Sequence, residues 1–214
     1  MEFRIRPATI EDAAFLAWVQ QEASRSHLPF GFWDLAFPGP DAYRLRIVER
    51  ICRSSAKSFC HWSGFLVAEV AGHPAAALSA YTNPKAATGE LLIHAMAEAL
   101  TAEGWNEARM GAMQQRIAPF LTCIPELPEE AWILEWVATR PDYRGKGLTR
   151  ALLEAIMDVG RKRGFKLFQI GVLIGNTPAQ RAYEGAGFKV VDEVKHLSFE
   201  ATFGTPGLRR LLRT

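Results

Sequence analysis

The spacing of apolar residues changes repeatedly along this chain and predicts alternating strands and helices. Apolar residues that alternate with polar ones, or form short continuous runs, predict strands, and those that recur every three to four residues predict helices. Predicted strands cover residues 3–6, 65–70, 75–81, 131–139, 165–174, 188–194 and 196–201. Predicted helices follow Thr9 and Asp41 and cover residues 90–103, 108–121, 147–163 and 177–185. The strand–helix–strand–helix–strand order after residue 131 implies a parallel pair of strands at the centre of a mixed sheet.

These elements predict one domain of the α/β (α+β) class over residues 1–214. Its centre is expected to be a mixed, strongly twisted β-sheet of about six or seven strands, flanked by helices. Residues 26–45 include a proline-, glycine- and aromatic-rich loop, residues 84–130 read as a helical insertion between the third and fourth strands, and residues 131–190 form a regular core. The tail Arg209–Arg213 is expected to be a solvated helix end.

The turn after the predicted strand 131–139 has the chemistry of an anion-binding site. Arg144, Gly145, Lys146 and Gly147 follow this strand, and a predicted helix begins at once. The first turn of a helix has unpaired N–H groups and about half a positive charge, and glycines let the backbone approach a ligand closely. The pattern predicts a diphosphate site, although an ordinary strand–helix connection has the same order. It lacks the spacing of a Walker A loop and of a G-x-G-x-x-G dinucleotide fingerprint.

Composition and charge argue against several classes of protein. Of the 214 residues, 49% are hydrophobic and 22% are charged, which supports a substantial core and excludes global disorder. The net charge of +2, without a lysine-rich run, gives no support for a nucleic-acid partner. No apolar run approaches the ~18 residues that a membrane span needs, and the charged N-terminus does not resemble a signal peptide.

The cysteines and histidines indicate neither a disulfide framework nor a metal site. Cys52, Cys60 and Cys123 are widely spaced, which predicts free thiols in a reducing compartment. The five histidines have no metal-ligand spacing, so no metal is expected. We therefore expect a cytoplasmic protein, a monomer or homodimer, that works without a membrane or nucleic-acid partner.

Two segments resemble the sequence motifs of the GNAT superfamily of N-acetyltransferases. The basic glycine turn resembles the acyl-CoA-binding motif Q/R-x-x-G-x-G/A, with Arg144, Gly147 and Thr149 in its register and Thr149 in place of the usual Gly or Ala. Residues 176–188 resemble the pattern N-x-x-A-x-x-x-Y-x-x-x-G-F and meet each fixed position, at Asn176, Ala179, Tyr183, Gly187 and Phe188. The start of the chain, residues 5–12, also resembles the usual start of such domains. The resemblance implies a GNAT fold and acetyl-CoA as cosubstrate.

The resemblance assigns the residues that hold acetyl-CoA. It implies that the main chain of Val137, Ala138 and Thr139 pairs with the pantetheine arm. It also implies that a group of backbone amides holds the pyrophosphate, and these belong to Arg144, Gly145, Lys146, Gly147, Leu148 and Thr149. Asn176 and Tyr183 would contact the cofactor near its thiol, although Asn176 has the alternative role of capping its helix.

The resemblance also implies two catalytic residues. An alkylamine has a pKa near ~10, so a base is useful at neutral pH, and Glu135 matches the acidic position that several family members use. Burial in the strand would raise the pKa of Glu135 toward neutrality. Tyr183 matches the usual general acid that protonates the leaving thiolate. The alternatives are a salt-bridged or substrate-orienting Glu135 and a Tyr183 that merely packs under the cofactor.

The acceptor is the least determined part of this interpretation. Residues Phe32, Trp33 and Asp34, with Glu135, are the candidates for its binding site, since the family's variable substrate surface comes from this region. The aromatic loop and the insertion favour a small-molecule amine or an amino acid. A protein N-terminus or lysine is the rival acceptor. A non-catalytic acyl-CoA-binding module is the rival of another class, and a nucleotide hydrolase is disfavoured by the missing Walker spacing.

Overall fold

A seven-stranded sheet organises the chain in a computed structural model, which describes residues 1–214 apart from the side chain of Leu92. The strands are β1 (Arg4–Pro7), β2 (Phe65–Val70), β3 (His73–Tyr81), β4 (Ala131–Thr139), β5 (Leu167–Leu173), β6 (Lys189–Lys195) and β7 (Gly207–Arg213). Their order in the sheet is β1-β2-β3-β4-β5-β7-β6. β4 and β5 pair in parallel, and the other neighbouring strands pair antiparallel. The predicted parallel pair at the centre of a mixed sheet is confirmed.

Nine α-helices accompany the sheet in the described part of the chain. They are α1 (Ala13–Arg25), α2 (Phe32–Ala36), α3 (Asp41–Arg53), α4 (Pro84–Gly89), α5 (Met96–Ala102), α6 (Glu107–Leu121), α7 (Leu148–Lys162), α8 (Thr177–Gly185) and α9 (Leu197–Phe203). A π-helical turn, Glu90–Ala95, joins α4 to α5. Among the described residues, no helix combines the length and the apolar character that crossing a bilayer requires.

The two faces of the sheet bury two separate cores. One core packs α1, α2, α3, α5 and α6 against sheet residues that include Val67, Ala77 and Trp136. The other packs α7 and α8 against Leu66 and Leu134, among other sheet residues. Because successive residues of a strand point to opposite faces, Leu66 and Val67 reach different cores. The helical insertion of residues 84–130 lies between β3 and β4 and supplies α4 to α6.

The prediction for the C-terminal region was wrong in two respects. Residues 197–203 form α9 rather than a strand, with the His196 side chain accepting a hydrogen bond from the Ser198 amide at its start. The tail Arg209–Arg213 belongs to β7, not to a solvated helix end, and lies between β5 and β6. Leu211 is fully buried. A short segment rich in arginine and leucine suits an amphipathic helix equally well, so the pairing with two distant strands decides its conformation.

Two boundaries in the variable regions also differ from the prediction. The expected loop within residues 26–45 contains the helix α2, at whose start the Gly31 amide donates to the Asp34 carboxylate at 2.9 Å. The first helix of the insertion begins at Pro84, well before the predicted start at Glu90. Proline is favoured in the first turn of a helix, where its missing N–H would have no partner.

Candidate functional site

A cleft of about 1140 Å³ opens where the two central strands separate. β4 pairs with β5 only along Ala131–Leu134, opposite Leu167–Ile170. From Glu135 to Thr139, β4 keeps pairing with β3 but, among the described residues, has no strand partner on its β5 side. The Thr139 carbonyl oxygen accepts from Arg144 Nε at 3.2 Å. The backbone N–H and C=O groups on that side are available to an extended ligand, because such groups require hydrogen-bond partners when they are buried. An amide-containing arm is such a ligand.

A β-bulge in β4 determines which side chains face the cleft. Ser79 pairs with Glu135 and Ala77 pairs with Ala138, so Leu78 lies opposite two residues of β4. One of these, Trp136, has φ of 53°, in the left-handed region that a bulky residue rarely adopts. The extra residue places the side chains of Glu135 and Trp136 on the same face of the sheet.

Aromatic packing holds the bulge in this strained conformation. The Trp136 ring stacks on Trp33 at 5.7 Å and on Phe59 at 6.0 Å between ring centroids. Backbone strain of this kind costs about 1–3 kcal/mol and persists only where the surroundings enforce it. Strained residues of this type concentrate at functional sites, which fits the position of Glu135 beside the bulge.

The glycine turn and the first turn of α7 form one end of the cleft. Gly145 and Gly147 have φ of 72° and 82°, which glycine adopts without steric cost. Most of the predicted pyrophosphate-binding residues line the cleft, namely Arg144, Gly145, Gly147, Leu148 and Thr149. Lys146 is outside the lining, and its Nζ lies 5.2 Å from the centre of the Tyr143 ring.

Arg150 is a cleft residue that the sequence motif did not indicate. It lies in the first turn of α7, where no acidic residue is present, and it lines the cleft beside Thr149. A basic residue is unfavourable at the positive end of a helix unless an anion is bound nearby. An arginine in an acid-free first helical turn was therefore the available signal. The Thr149 hydroxyl lies 3.1 Å from that of Thr139, so it joins the start of α7 to the end of β4.

Glu135 is the buried acid of the cleft. It lines the cleft and keeps partial contact with solvent there, while its carboxyl group lies deep in the protein. Desolvation raises the pKa of this carboxyl to about 7. None of the ion pairs among the described residues includes Glu135, so the alternative of a salt-bridged edge residue is wrong. Its role as the base stays a prediction.

Tyr183 lies on α8 and faces the same cleft. It is buried against the core of α7 and α8 and also lines the cleft. Burial, and secondarily the charge of Glu135, raise the pKa of its hydroxyl above the ordinary value. Tyr183 therefore stays protonated at neutral pH, as an acid must be before it donates. Glu135 and Tyr183, the two predicted catalytic residues, both line this one cleft.

Asn176 performs the structural role that was its alternative. Its Oδ1 accepts a hydrogen bond from the Ala179 amide and caps α8, while its Nδ2 donates to the Ser26 hydroxyl at 2.6 Å. Ser26 follows α1 and lines the cleft, as does Asn176. The sequence contained no signal for Ser26, because 150 positions separate it from Asn176. A contact of Asn176 with the cofactor stays a prediction.

The three aromatic-loop residues expected at the acceptor site do not act together. Phe32 lines the cleft. Trp33 is instead fully buried in the core, and Asp34 pairs with Arg25 at 2.8 Å and with Arg44 at 3.1 Å. Trp33 and Asp34 are outside the cleft lining. The loop forms a helix whose faces separate these neighbours, so the expected joint wall of Phe32, Trp33 and Asp34 is corrected to Phe32.

The donor set of the cleft fits an acyl-CoA. Free backbone groups of β4 suit the amides of a pantetheine arm, and the N-terminus of α7 with Arg144 and Arg150 suits a pyrophosphate. In the described part of the chain, no cluster of three His, Cys, Asp or Glu side chains is placed to hold a metal ion. Cys52, Cys60 and Cys123 are free and buried.

Known structures share this fold over almost the whole chain. An N-acetyltransferase from Staphylococcus aureus Mu50 gives a TM-score of 0.67 at 19% identity, covering 98% of this chain and 100% of its own. The protein yncA from Salmonella typhimurium, solved with its cofactor acetyl-CoA, gives a TM-score of 0.57 at 16% identity, covering 100% of this chain and 94% of its own. At these identities the likeness establishes the fold alone.

Sequence comparisons connect the chain to acetyltransferases. The [Ribosomal protein bS18]-alanine N-acetyltransferase of Escherichia coli (strain K12) is 42% identical over 52 residues, a match that spans 24% of this chain and 35% of that relative. The sequence profile of the Acetyltransferase (GNAT) family matches residues 36–188, which is more than half of the chain. The chain therefore belongs to the GNAT family of acetyltransferases.

Proposed function

We propose that this N-acetyltransferase transfers the acetyl group of acetyl-CoA to the primary amine of a small molecule or an amino acid. The observation that carries the proposal is that one continuous cleft joins the N-terminus of α7, the unpaired edge of β4, and a wall supplied by the helical insertion. The insertion contributes Pro84, Leu91, Phe120, Leu121, Ile124 and Leu127 to that wall. A cleft bounded on this side by helices suits a compact amine better than a protein chain.

Glu135 and Tyr183 supply the two proton transfers of a direct attack. The amine nitrogen forms a bond to the thioester carbon and the carbon–sulfur bond breaks. Glu135 takes the proton that the nitrogen loses, and Tyr183 gives its proton to the departing thiolate. A carboxyl with a pKa of about 7 is balanced between accepting and releasing a proton at neutral pH. No covalent enzyme intermediate is formed.

The backbone of β4 contributes to the same step. The main chain of Val137, Ala138 and Thr139, which pairs with no β5 residue in the described structure, lies on the cleft wall directly after the bulge. An N–H group fixed in this position can donate to the thioester carbonyl oxygen as negative charge develops there. Preorganised donors of this kind contribute about 3–4 kcal/mol to transition-state stabilisation.

Acetylation of a protein N-terminus is the second candidate. The partial relative is a ribosomal protein-alanine N-acetyltransferase, and a structure named ribosomal-protein-alanine N-acetyltransferase, from Brucella melitensis, has a TM-score of 0.55. An extended peptide would need to enter past the wall formed by the insertion. The exposed Leu121 and Ile124 belong to that wall and are the side chains such a peptide would contact.

A thiol-release assay with acetyl-CoA tests the proposal. The panel comprises small primary amines, free amino acids, polyamines, aminoglycosides, and peptides with a free N-terminal alanine or an internal lysine. We expect release to depend on a small amine or amino acid and to fall sharply in Tyr183→Phe. Fastest release with a peptide would favour the second candidate. No release with any acceptor, in protein shown to bind acetyl-CoA, would contradict the proposed function.

A further inference from the structure

Gln169 on β5 has a buried amide side chain whose nitrogen is hydrogen-bonded and whose oxygen has no partner among the described residues. Its Nε2 donates to the carbonyl oxygen of Glu126 at 2.8 Å, whereas its Oε1 has no partner among the described residues. Gln169 is 2% exposed, so bulk water does not compensate. Since a carbonyl oxygen accepts but does not donate, the bond to Glu126 fixes the amide orientation and leaves the acceptor atom free. Free buried acceptors are costly and need an explanation.

This free acceptor belongs to the part of the cleft that contains Glu135. Tyr81 lies opposite Ile133, and Ile133 lies opposite Gln169, in a continuous row across β3, β4 and β5. Residues opposite one another on neighbouring strands share a face of the sheet. Glu135, two residues beyond Ile133, shares that face as well. All four residues line the cleft.

A glycine leaves space beside Gln169 and Glu135. Gly171 follows Gln169 by two residues on β5, so it lies on the same face, and it also lines the cleft. A Cβ atom added there would meet Leu208 at 3.9 Å and the Arg209 carbonyl oxygen at 4.0 Å, which are ordinary contacts. Close packing therefore does not demand a glycine at this position. The space is on the cleft side, where a ligand can use it.

The charges around this space favour an ammonium group and oppose a carboxylate. Glu135 supplies a buried carboxyl group, and Gln169 supplies an acceptor oxygen. Lys85 of the cleft wall is 85% exposed and pairs with Glu129 at 2.8 Å, which directs its charge away from the interior. The arginines of the cleft lining lie at the other end, around the start of α7. A ligand carboxylate beside Glu135 would meet like charge, whereas the cations of the described lining lie at the α7 end or, for Lys85, pair with Glu129.

The remaining wall of this region is apolar and aromatic. Phe59 stacks on Tyr81 with ring centroids 5.2 Å apart, and both line the cleft. Phe120 and Leu127 of the insertion also line it. Such surfaces bury the apolar body of a ligand, and aromatic faces also attract an ammonium group.

We propose that Gln169 and Glu135 form the binding site for the amino group of an apolar primary monoamine that has no carboxylate, such as an arylalkylamine. The amine donates one N–H to Gln169 Oε1 and presents another to Glu135. Its apolar body lies against Phe59, Tyr81 and the insertion. This assignment rests on the proposed function, because it names the class of amine within it.

A matched pair of amines tests the assignment without any variant. 2-Phenylethylamine and L-phenylalanine differ in the carboxylate alone, and spermidine adds further positive charges to an aliphatic chain. We expect kcat/KM for 2-phenylethylamine to exceed that for L-phenylalanine and for spermidine by at least about tenfold. Equal or better use of L-phenylalanine or spermidine would overturn the assignment and leave the proposed function standing. No thiol release with any amine would contradict both.

Gln169→Leu tests the proposed contact, and Gln20→Leu is its matched control. Gln20 is also buried and donates through Nε2 to the Cys60 carbonyl oxygen at 3.3 Å. Its Oε1 likewise has no partner in the described structure, but Gln20 is outside the cleft lining. We expect Gln169→Leu to raise KM for 2-phenylethylamine about tenfold, the effect of losing one hydrogen bond to a charged group. KM for acetyl-CoA should stay unchanged.

The comparison of the two variants separates binding from structure. Gln20→Leu should leave both KM values at the wild-type level, since it removes the same kind of buried amide elsewhere. Equal KM changes in the two variants, or no change in Gln169→Leu, would overturn the contact. If Gln169→Leu does not fold, Gly171→Val places a branched side chain in the same space and should raise KM for 2-phenylethylamine more than KM for methylamine. The same KM change for both amines would overturn the placement of the ligand.

Discussion

The environment of Glu135 turns an ordinary carboxylic acid into a group that titrates near neutral pH. Desolvation raises its pKa to about 7, without an ion pair to oppose the shift among the described residues. Below this pKa the carboxyl is protonated and does not accept a proton from the amine. We therefore predict that kcat rises as pH increases through 7, and that Glu135→Gln removes this rise and lowers kcat at pH 8 by about 100-fold or more.

Steady-state kinetics from pH 5.5 to 9 measures this effect, with Glu49→Gln as the control. Glu49 lies on α3, where it pairs with Arg53 at 2.9 Å. Exposed pairs of this kind contribute about 0.3–0.5 kcal/mol, so the control should keep the wild-type profile. A Glu135→Gln enzyme with the wild-type profile would remove Glu135 from the role of base.

A separate prediction concerns the hydroxyl group of Tyr183. Its buried hydroxyl has a raised pKa, mainly through desolvation and secondarily through Glu135, so it remains a proton donor over the working pH range. Tyr183→Phe should lower kcat about 100-fold, because the leaving thiolate loses its acid, while the dissociation constant of acetyl-CoA changes little. Tyr43→Phe is the control, since the Tyr43 hydroxyl accepts from Trp105 outside the cleft lining. Weaker acetyl-CoA binding at unchanged kcat would instead indicate a packing role.

Among the elements, α7 illustrates how tightly the helices pack on the sheet. Gly160 lies where α7 contacts β4 and β5, and an added Cβ would lie 2.8 Å from Phe168 and 2.9 Å from Trp132. Gly160→Ala should therefore destabilise the fold by about 1–3 kcal/mol through overpacking. Gly111 is a matched glycine inside α6, where an added Cβ would have no atom of the described residues within 4 Å beyond its own helix backbone. Gly111→Ala should therefore stabilise the fold by about 0.4–1 kcal/mol.

Urea unfolding of the two alanine variants compares these effects in one protein. Both changes add the same methyl group to a helix, so the intrinsic gain in helix propensity is common to them. The opposite signs of the two changes in unfolding free energy therefore report the close contact between α7 and the sheet. A Gly160→Ala protein that is as stable as Gly111→Ala would mean that α7 can move away from Phe168 and Trp132 without cost.

The elements that the sequence predicted well are those whose pattern is local. β4, α7 and β5 combine strong periodicity with nearby glycine and proline signals, and their predicted centres agree with the structure. β7, in contrast, was not predicted as a strand. Its residues Leu208 and Leu211 pair with β5 and β6, and the arginines between them bond to groups on other elements, such as Glu193 and Gln180. No local pattern contains that information.

Across the whole molecule, the site residues that the sequence predicted are those close together in the chain, and the residues that it missed come from distant segments. The cleft residues between positions 135 and 149 are close together in the chain, so a strand, a turn and a helix start were enough to predict that they share one cleft. Gln169 and Ser26 enter the same cleft through tertiary packing. Gln169 did leave a local trace, as the one amide in a nearly continuous apolar run, 165–174. Ser26 had no recognisable sequence signal. The signal of Trp33, an aromatic residue in a loop rich in proline and glycine, was misleading, because the burial of Trp33 depends on helix α2 packing against the bulge.

The buried carboxyl of Glu135 also affects the stability of the whole molecule. Its pKa is about 7 in the folded protein and near 4.5 when unfolded. Below pH 4.5 both states hold the proton, and the group costs nothing. As pH rises toward 7 the unfolded state releases its proton first, so folding loses up to about 3 kcal/mol, and the loss stays constant above that pH. Glu135→Gln has no proton to release.

We therefore predict that Glu135→Gln becomes more stable relative to the wild type as pH rises. Between pH 5.5 and 8 the difference in unfolding free energy should grow by about 2 kcal/mol. Urea unfolding at several pH values measures it, and any constant effect of replacing the carboxyl with an amide cancels in the comparison. Glu49→Gln, on the surface of α3, should show no such growth. A pH-independent difference for Glu135→Gln would mean that water or movement of β4 solvates the carboxyl, and its pKa would then not support the role of base at neutral pH.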